Sequence, residues 1–129
     1  MSDNKQLIRD YLKALNGKDK PPELVDQYVA DSDQELKNHI AFMEAAFPQY
    51  EIIVEDMIAE GDKVVIRAIF RGTHKGDFMG LPPTDITVES PGMLIYRIKD
   101  NKIVEHWGQS DQLGLMQQLG MLPTPEASE

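Results

Sequence analysis

The chain has 129 residues and a formal net charge of −9, from 13 basic and 22 acidic side chains. That length suits one domain with one real core, about 100–150 residues being the common size. The acidic balance has no local basic cluster to offset it, which argues against nucleic acid and anionic membrane surfaces as partners. Cysteine is absent, so disulfides and thiolate metal sites are excluded and a cytoplasmic protein is expected. The N-terminus, MSDNKQLIRDYL, has no apolar stretch of signal-peptide length. No run approaches the ~20 apolar residues of a membrane span.

The first element is a helix. Ile8, Tyr11, Leu12 and Leu15 follow a 3.6-residue period, with Ser2 or Asp3 as cap and Asn16-Gly17 as stop. Pro21 and Pro22 open a second helix running to about Val29, with Leu24, Val25 and Tyr28 on its apolar face. A third runs from about Asp33 to Phe47, striped by Leu36, Ile40 and Met43, and Pro48 ends it.

After Pro48 the period changes to two. Tyr50–Ala59 and Lys63–His74 read as strands joined at Glu60-Gly61-Asp62. GDFMGLPPT, residues 76–84, is a loop. Strand character returns from Ile86 to Ile98. A hairpin turn at Lys99–Lys102 follows, then a strand from Ile103 to about Asp111. A short helix carrying Leu113, Leu115, Met116 and Leu119 closes the domain before Gly120. Residues 1–122 form a single domain in this reading, and 123–129 a loose tail. Helices followed by tandem strands predict an α+β fold: a curved antiparallel sheet with the N-terminal helices on its concave face. Gly92 and Gly108 suit bends or bulges that curve the strands.

The segments FPQYEIIVEDMIAEGDKVVIRAIFRGTHKGDFMGLPPT and IYRIKDNKIVEHWGQSDQLGLMQQLG resemble the SnoaL-like polyketide cyclase branch of the nuclear-transport-factor-two-like superfamily. The resemblance spans roughly Lys5 to Gly120 and is strongest from Phe47 onward. It implies a cone-shaped α+β barrel, a pocket between sheet and helices, and often a homodimer. It also implies cofactor-independent acid/base chemistry on a small hydrophobic carbonyl compound: a cyclase, or a related lyase or isomerase. Fold alone does not fix function. A non-catalytic module binding a small apolar ligand, or a homodimeric interaction domain, fits the same fold. One departure is that Tyr28-Val29-Ala30-Asp31-Ser32-Asp33 passes directly into the third helix. Family members usually carry a longer stretch there, so part of the pocket wall is expected to be shortened or replaced.

Polyketide cyclases of this family use an aspartate at the end of the last strand as acid/base, and Asp111 matches that position. The same residue also suits the cap of the segment starting at Gln112. Trp107 and Gln109 share its parity and would face the substrate, Trp107 as wall and N–H donor, or else fill the core. His106 has the opposite parity and is expected to face outward unless a bulge at Gly108 alters the alternation. His74 ends the mostly apolar row of Val64, Ile66, Ala68 and Phe70. It would either donate to a substrate carbonyl or order the 76–84 loop. Tyr96 is a further pocket donor or core residue. Phe70 is a pocket-wall residue, and His39 overlooks the pocket or sits on the helix surface. No zinc spacing, phosphate loop or nucleophile motif occurs, so neither metal nor cofactor is expected.

Overall fold

The computed structural model describes residues 3–121; the expected loose tail, 123–129, lies outside them. Asp3 caps the first helix, α1 (Asn4–Leu15), by accepting from Gln6 N at 3.2 Å. The periodic residues Ile8, Tyr11, Leu12 and Leu15 are buried as expected, and Leu7 is buried beside them. Asn16 ends the helix. Its amide pairs with Ile52 as a strand neighbour would, donating to Ile52 O at 2.9 Å and accepting from Ile52 N at 2.8 Å. The helix end is thereby tied to the sheet.

The second helix is shorter than expected. α2 (Pro22–Val25) is a single turn. The chain beyond it is claimed by the sheet: Ile103 N donates to Tyr28 O and Ala30 N donates to Ile103 O, each at 2.8 Å. Val29 thus makes a parallel bridge to Ile103. The short segment noted in the sequence covers the sheet edge. After a 3-10 turn at Asp31–Asp33, α3 (Gln34–Ala46) begins under the Asp33 cap.

Four strands form one antiparallel sheet in sequence order: β1 (Glu51–Glu60), β2 (Lys63–Thr73), β3 (Thr87–Lys99) and β4 (Lys102–Ser110). α4 (Gln112–Gln118) closes the described chain. Val64, Tyr96 and His106 are in register across β2, β3 and β4 on the inner face. The core has two parts. One contains Tyr11, Val29, Leu36, Ile40, Val64, Ile66, Tyr96 and Ile103. The other contains Met43, Phe47, Tyr50, Phe78, Val88, Leu115 and Leu119. Ile52 packs against both.

One irregularity decides what the last strand presents. Ile98 pairs with Ile103, whereas Arg97 pairs with Glu105, so Val104 is an extra residue in β4. Side-chain alternation reverses beyond such a bulge. The bulge lies at Val104, not at Gly108. Gly108 serves packing instead, since a Cβ there would stand 2.9 Å from Leu94 Cδ2.

Candidate functional site

The bulge corrects the facing of β4. Ile103 is buried, but Trp107 pairs with Ile95 and Gln109 with Met93, on the outer face of the sheet. Trp107 is 43% exposed. Neither side chain lines the interior. His106 turns inward in their place.

There it meets Asp33, at the foot of α3. His106 Nδ1 lies 2.6 Å from Asp33 Oδ2, and both side chains are largely buried. The carboxylate does two things. Its Oδ1 accepts from Leu36 N at 3.0 Å and caps α3, while its Oδ2 holds the imidazole. A carboxylate facing Nδ1 favours the tautomer with hydrogen on that nitrogen, leaving Nε2 with its lone pair. Nε2 has no hydrogen-bond partner among the described residues. His39, on the exposed flank of α3, is close enough to feel His106. Although the residue is exposed overall, partial desolvation of its ring, then the charge of His106, lowers its pKa.

Two phenols of the interior, Tyr96 and Tyr11, lie beside this pair, and Tyr50 lies in the other part of the core. Tyr96 shares the cross-strand row of His106. The Tyr11 ring packs against Tyr96 and Tyr28, with centroids 5.9 Å apart in each case. Burial raises the pKa of Tyr11 well above its ordinary value, and Tyr96, Tyr50 and Asp33 add to the rise. Burial also raises those of Tyr50 and Tyr96. All three therefore stay protonated near neutrality, as hydrogen-bond donors.

The remaining candidates lie elsewhere. Asp111 is exposed and caps α4, accepting from Gly114 N at 2.8 Å. His74 is fully buried at the far end of the inner face. Its Nδ1 accepts from Thr84 N at 3.3 Å and lies 2.9 Å from Thr84 Oγ1, which ties down the 76–84 loop. Its Nε2 is sealed in without a partner, against the rings of Phe47 and Phe78. Phe70 is half-buried, its ring edge-to-face with Phe47 and tilted against Tyr50, with centroids 5.4 and 5.1 Å away. The structure thus brings Tyr96 and His39 toward His106, and separates them from Asp111, Trp107 and Gln109. Asp33 and Tyr11 were not singled out in the sequence as site residues. Asp33 reads there as a helix start, and only the unseen bulge brings a histidine to it.

Among the described residues, no group of three or more His, Asp or Glu side chains is placed to hold a metal ion. No helix among them is long and apolar enough to cross a membrane.

Comparison with known proteins adds the lineage. The chain is 32% identical over 82 residues to nogalonic acid methyl ester cyclase of Streptomyces nogalater, covering 63% of this chain and 61% of that protein. It thus spans about three fifths of the length of that curated relative. Among solved structures, AclR of Streptomyces galilaeus, a proposed hydroxylase, superposes with a TM-score of 0.82 at 26% identity, covering 94% of this chain and 83% of AclR. IdmH of Streptomyces antibioticus, a proposed polyketide cyclase, gives 0.76 at 28% identity, covering 92% and 99%. The model of the SnoaL-like polyketide cyclases matches residues 11–119. With the element order, the antiparallel sheet and this match in agreement, the chain belongs to the SnoaL-like polyketide cyclase family.

Proposed function

We propose that the protein is a cofactor-independent cyclase-type enzyme for a small hydrophobic carbonyl compound, with the Asp33–His106 pair as its acid/base. The observation that carries this is the free Nε2 of an imidazole anchored through Nδ1 at 2.6 Å. Closing a ring by an intramolecular aldol step removes a proton next to one carbonyl and delivers a proton to the other oxygen. One imidazole can do both in turn, and general acid–base catalysis of this kind contributes about 10²–10⁴-fold. Asp33 is the orienting group. Asp111 keeps to capping α4, and His74 keeps to tying down the 76–84 loop.

The experiment is turnover of nogalonic acid methyl ester, the compound in the relative's name. It is followed by chromatography and absorbance, since ring closure conserves mass. His106→Ala is expected to lower turnover by about 10²-fold or more. Asp111→Asn is expected to leave it unchanged, because asparagine caps a helix as well as aspartate. Full turnover in the His106 variant would remove the assignment.

A homodimer through the outer sheet face belongs to the same proposal. Ile58, Val65, Ile95 and Trp107 form one cross-strand row over all four strands. Ile58 is 65% exposed, and Met93, one row on, is 53% exposed. A contiguous apolar strip of this kind marks an association surface. Sedimentation velocity should show a dimer for the native chain and a monomer for an Ile58→Lys, Trp107→Lys variant.

A further inference from the structure

The hairpin joining β3 to β4 gathers cations that the proposed acid/base does not use. Lys99 and Lys102 are a cross-strand pair. Ile98 and Ile103 beside them are buried on the inner face, so alternation turns both lysines outward, together with Arg97. Three of the chain's 13 basic side chains thus share one patch of a molecule with net charge −9. Like charges directly opposite each other on a sheet are destabilising. Acids that could relieve this pair are spent elsewhere: Asp26 and Asp31, in the chain before α3, both pair with Lys37. Lys99 has no ion-pair or hydrogen-bond partner among the described residues. Lys102 Nζ donates to a backbone oxygen, Asp26 O, at 3.0 Å.

The three cations line a groove of about 390 Å³. Small-ligand sites usually measure about 300–1,000 Å³. Val104, the bulge residue, and Ala30 give the groove apolar surface. Ser32 Oγ donates to Val104 O at 3.0 Å and ties one wall to the bulge. That hydroxyl hydrogen is spent, so the lysines and the arginine are the donors. Asp100, on the hairpin turn, is the acidic member of the lining. Arg97 is steadied from the side. Its Nε donates to Glu105 Oε1 at 2.8 Å and its Nη1 lies 3.9 Å from Asp62 Oδ2, which leaves Nη2 for another acceptor. Arg97 lies two residues from Lys99 along β3, about 7 Å at the rise of a strand. Two cationic points at that spacing, with apolar surface beside them, suit a carboxylate at each end of a short aliphatic chain.

We propose that this groove binds a short aliphatic dicarboxylate, with one carboxylate between Lys99 and Lys102 and the other on Arg97. The site lies on the face of the sheet opposite to His106 and is independent of the acid/base reading.

The test is calorimetric titration of the native chain with adipate at low ionic strength. Hexanoate has as many carbons and a single carboxylate, and should bind at least about 5-fold more weakly, a loss of about 1 kcal/mol. Lys99→Gln and Lys102→Gln should each weaken adipate binding about 5–10-fold, tenfold being about 1.4 kcal/mol. The Tm of Lys99→Gln should hold or rise, since the variant relieves a like-charge pair. Lys13→Gln removes the same charge from the exposed side of α1 and should bind adipate as the native chain does. Amide resonances that move on adding adipate should centre on Ser32, Lys99 and Val104. No binding by the native chain, equal affinity for hexanoate, or native affinity in both groove-lysine variants overturns the proposal. An equal loss in Lys13→Gln also overturns it, because the attraction would then belong to the charge of the whole chain.

Discussion

Replacing Asp33 with asparagine and with alanine separates its two tasks. Asparagine caps a helix about as well as aspartate, so Asp33→Asn keeps the bond to Leu36 N and the start of α3. What it removes is the charge facing His106 Nδ1. A charge-assisted hydrogen bond is worth roughly twice a neutral one, so the loss is about 1 kcal/mol. Asp33→Ala forfeits the cap, about 1 kcal/mol, and leaves a largely buried ring nitrogen without its acceptor, about 1–3 kcal/mol more. The expected totals are therefore about 1 and about 2–4 kcal/mol, read by urea denaturation or as shifts of about 3–5 °C in Tm per kcal/mol. Turnover should separate further from stability. The amide can donate to Nδ1, which moves the imidazole hydrogen to Nε2 and removes the base. Asp33→Asn should then lose most activity while remaining well folded. Equal destabilisation by the two variants would refute the division of labour, and so would full activity in Asp33→Asn.

Two further outcomes are expected. Gly114→Ala, ordinarily stabilising inside a helix by up to ~1 kcal/mol, should here bring no gain, because its Cβ would collide with the Asp111 carboxylate that caps α4 and the lost cap, about 1 kcal/mol, offsets it; denaturant unfolding showing a gain would mean the cap is not formed as described. His39 has a folded pKa below its ordinary value of ~6.5, through burial and then the charge of His106. The unfolded chain therefore takes up that proton first. Stability from this group is present above that ordinary value and is lost as pH falls through the folded one. In His106→Gln the His39 resonance should titrate at higher pH, and an unchanged titration would disprove their coupling.

The architecture was legible because its signals are local and repeated. The 3.6-residue stripe of α1, the switch to period two after Pro48, and the turns at Gly61 and at Asp100-Asn101 each report on a few neighbours. All match the observed elements closely. The end of α2 was less so. Tyr28 and Ala30 leave the helical pattern because their backbone groups bond Ile103, more than seventy residues later in the chain. Nothing in the local sequence of α2 announces that partner.

The site was harder to read for a related reason. Unbroken alternation from Ile103 turns Trp107 and Gln109 inward, and a single extra residue at Val104 inverts everything after it. Val104 itself is an ordinary strand former, so its place in the bulge depends on the pairing with β3 and not on its own preference. The inversion also changes what an aspartate at a helix start can mean. Asp33 and Asp111 both cap, and both read as caps in the sequence. Asp111 spends its capping bond at an exposed turn, whereas Asp33 caps with one oxygen and presents the other to an inward-facing histidine. Capping a helix and holding an imidazole are thus not alternatives for a carboxylate: one oxygen suffices for the helix. What selects between the two aspartates is whether an imidazole stands within reach of the second oxygen, and the bulge in β4 brings one to Asp33.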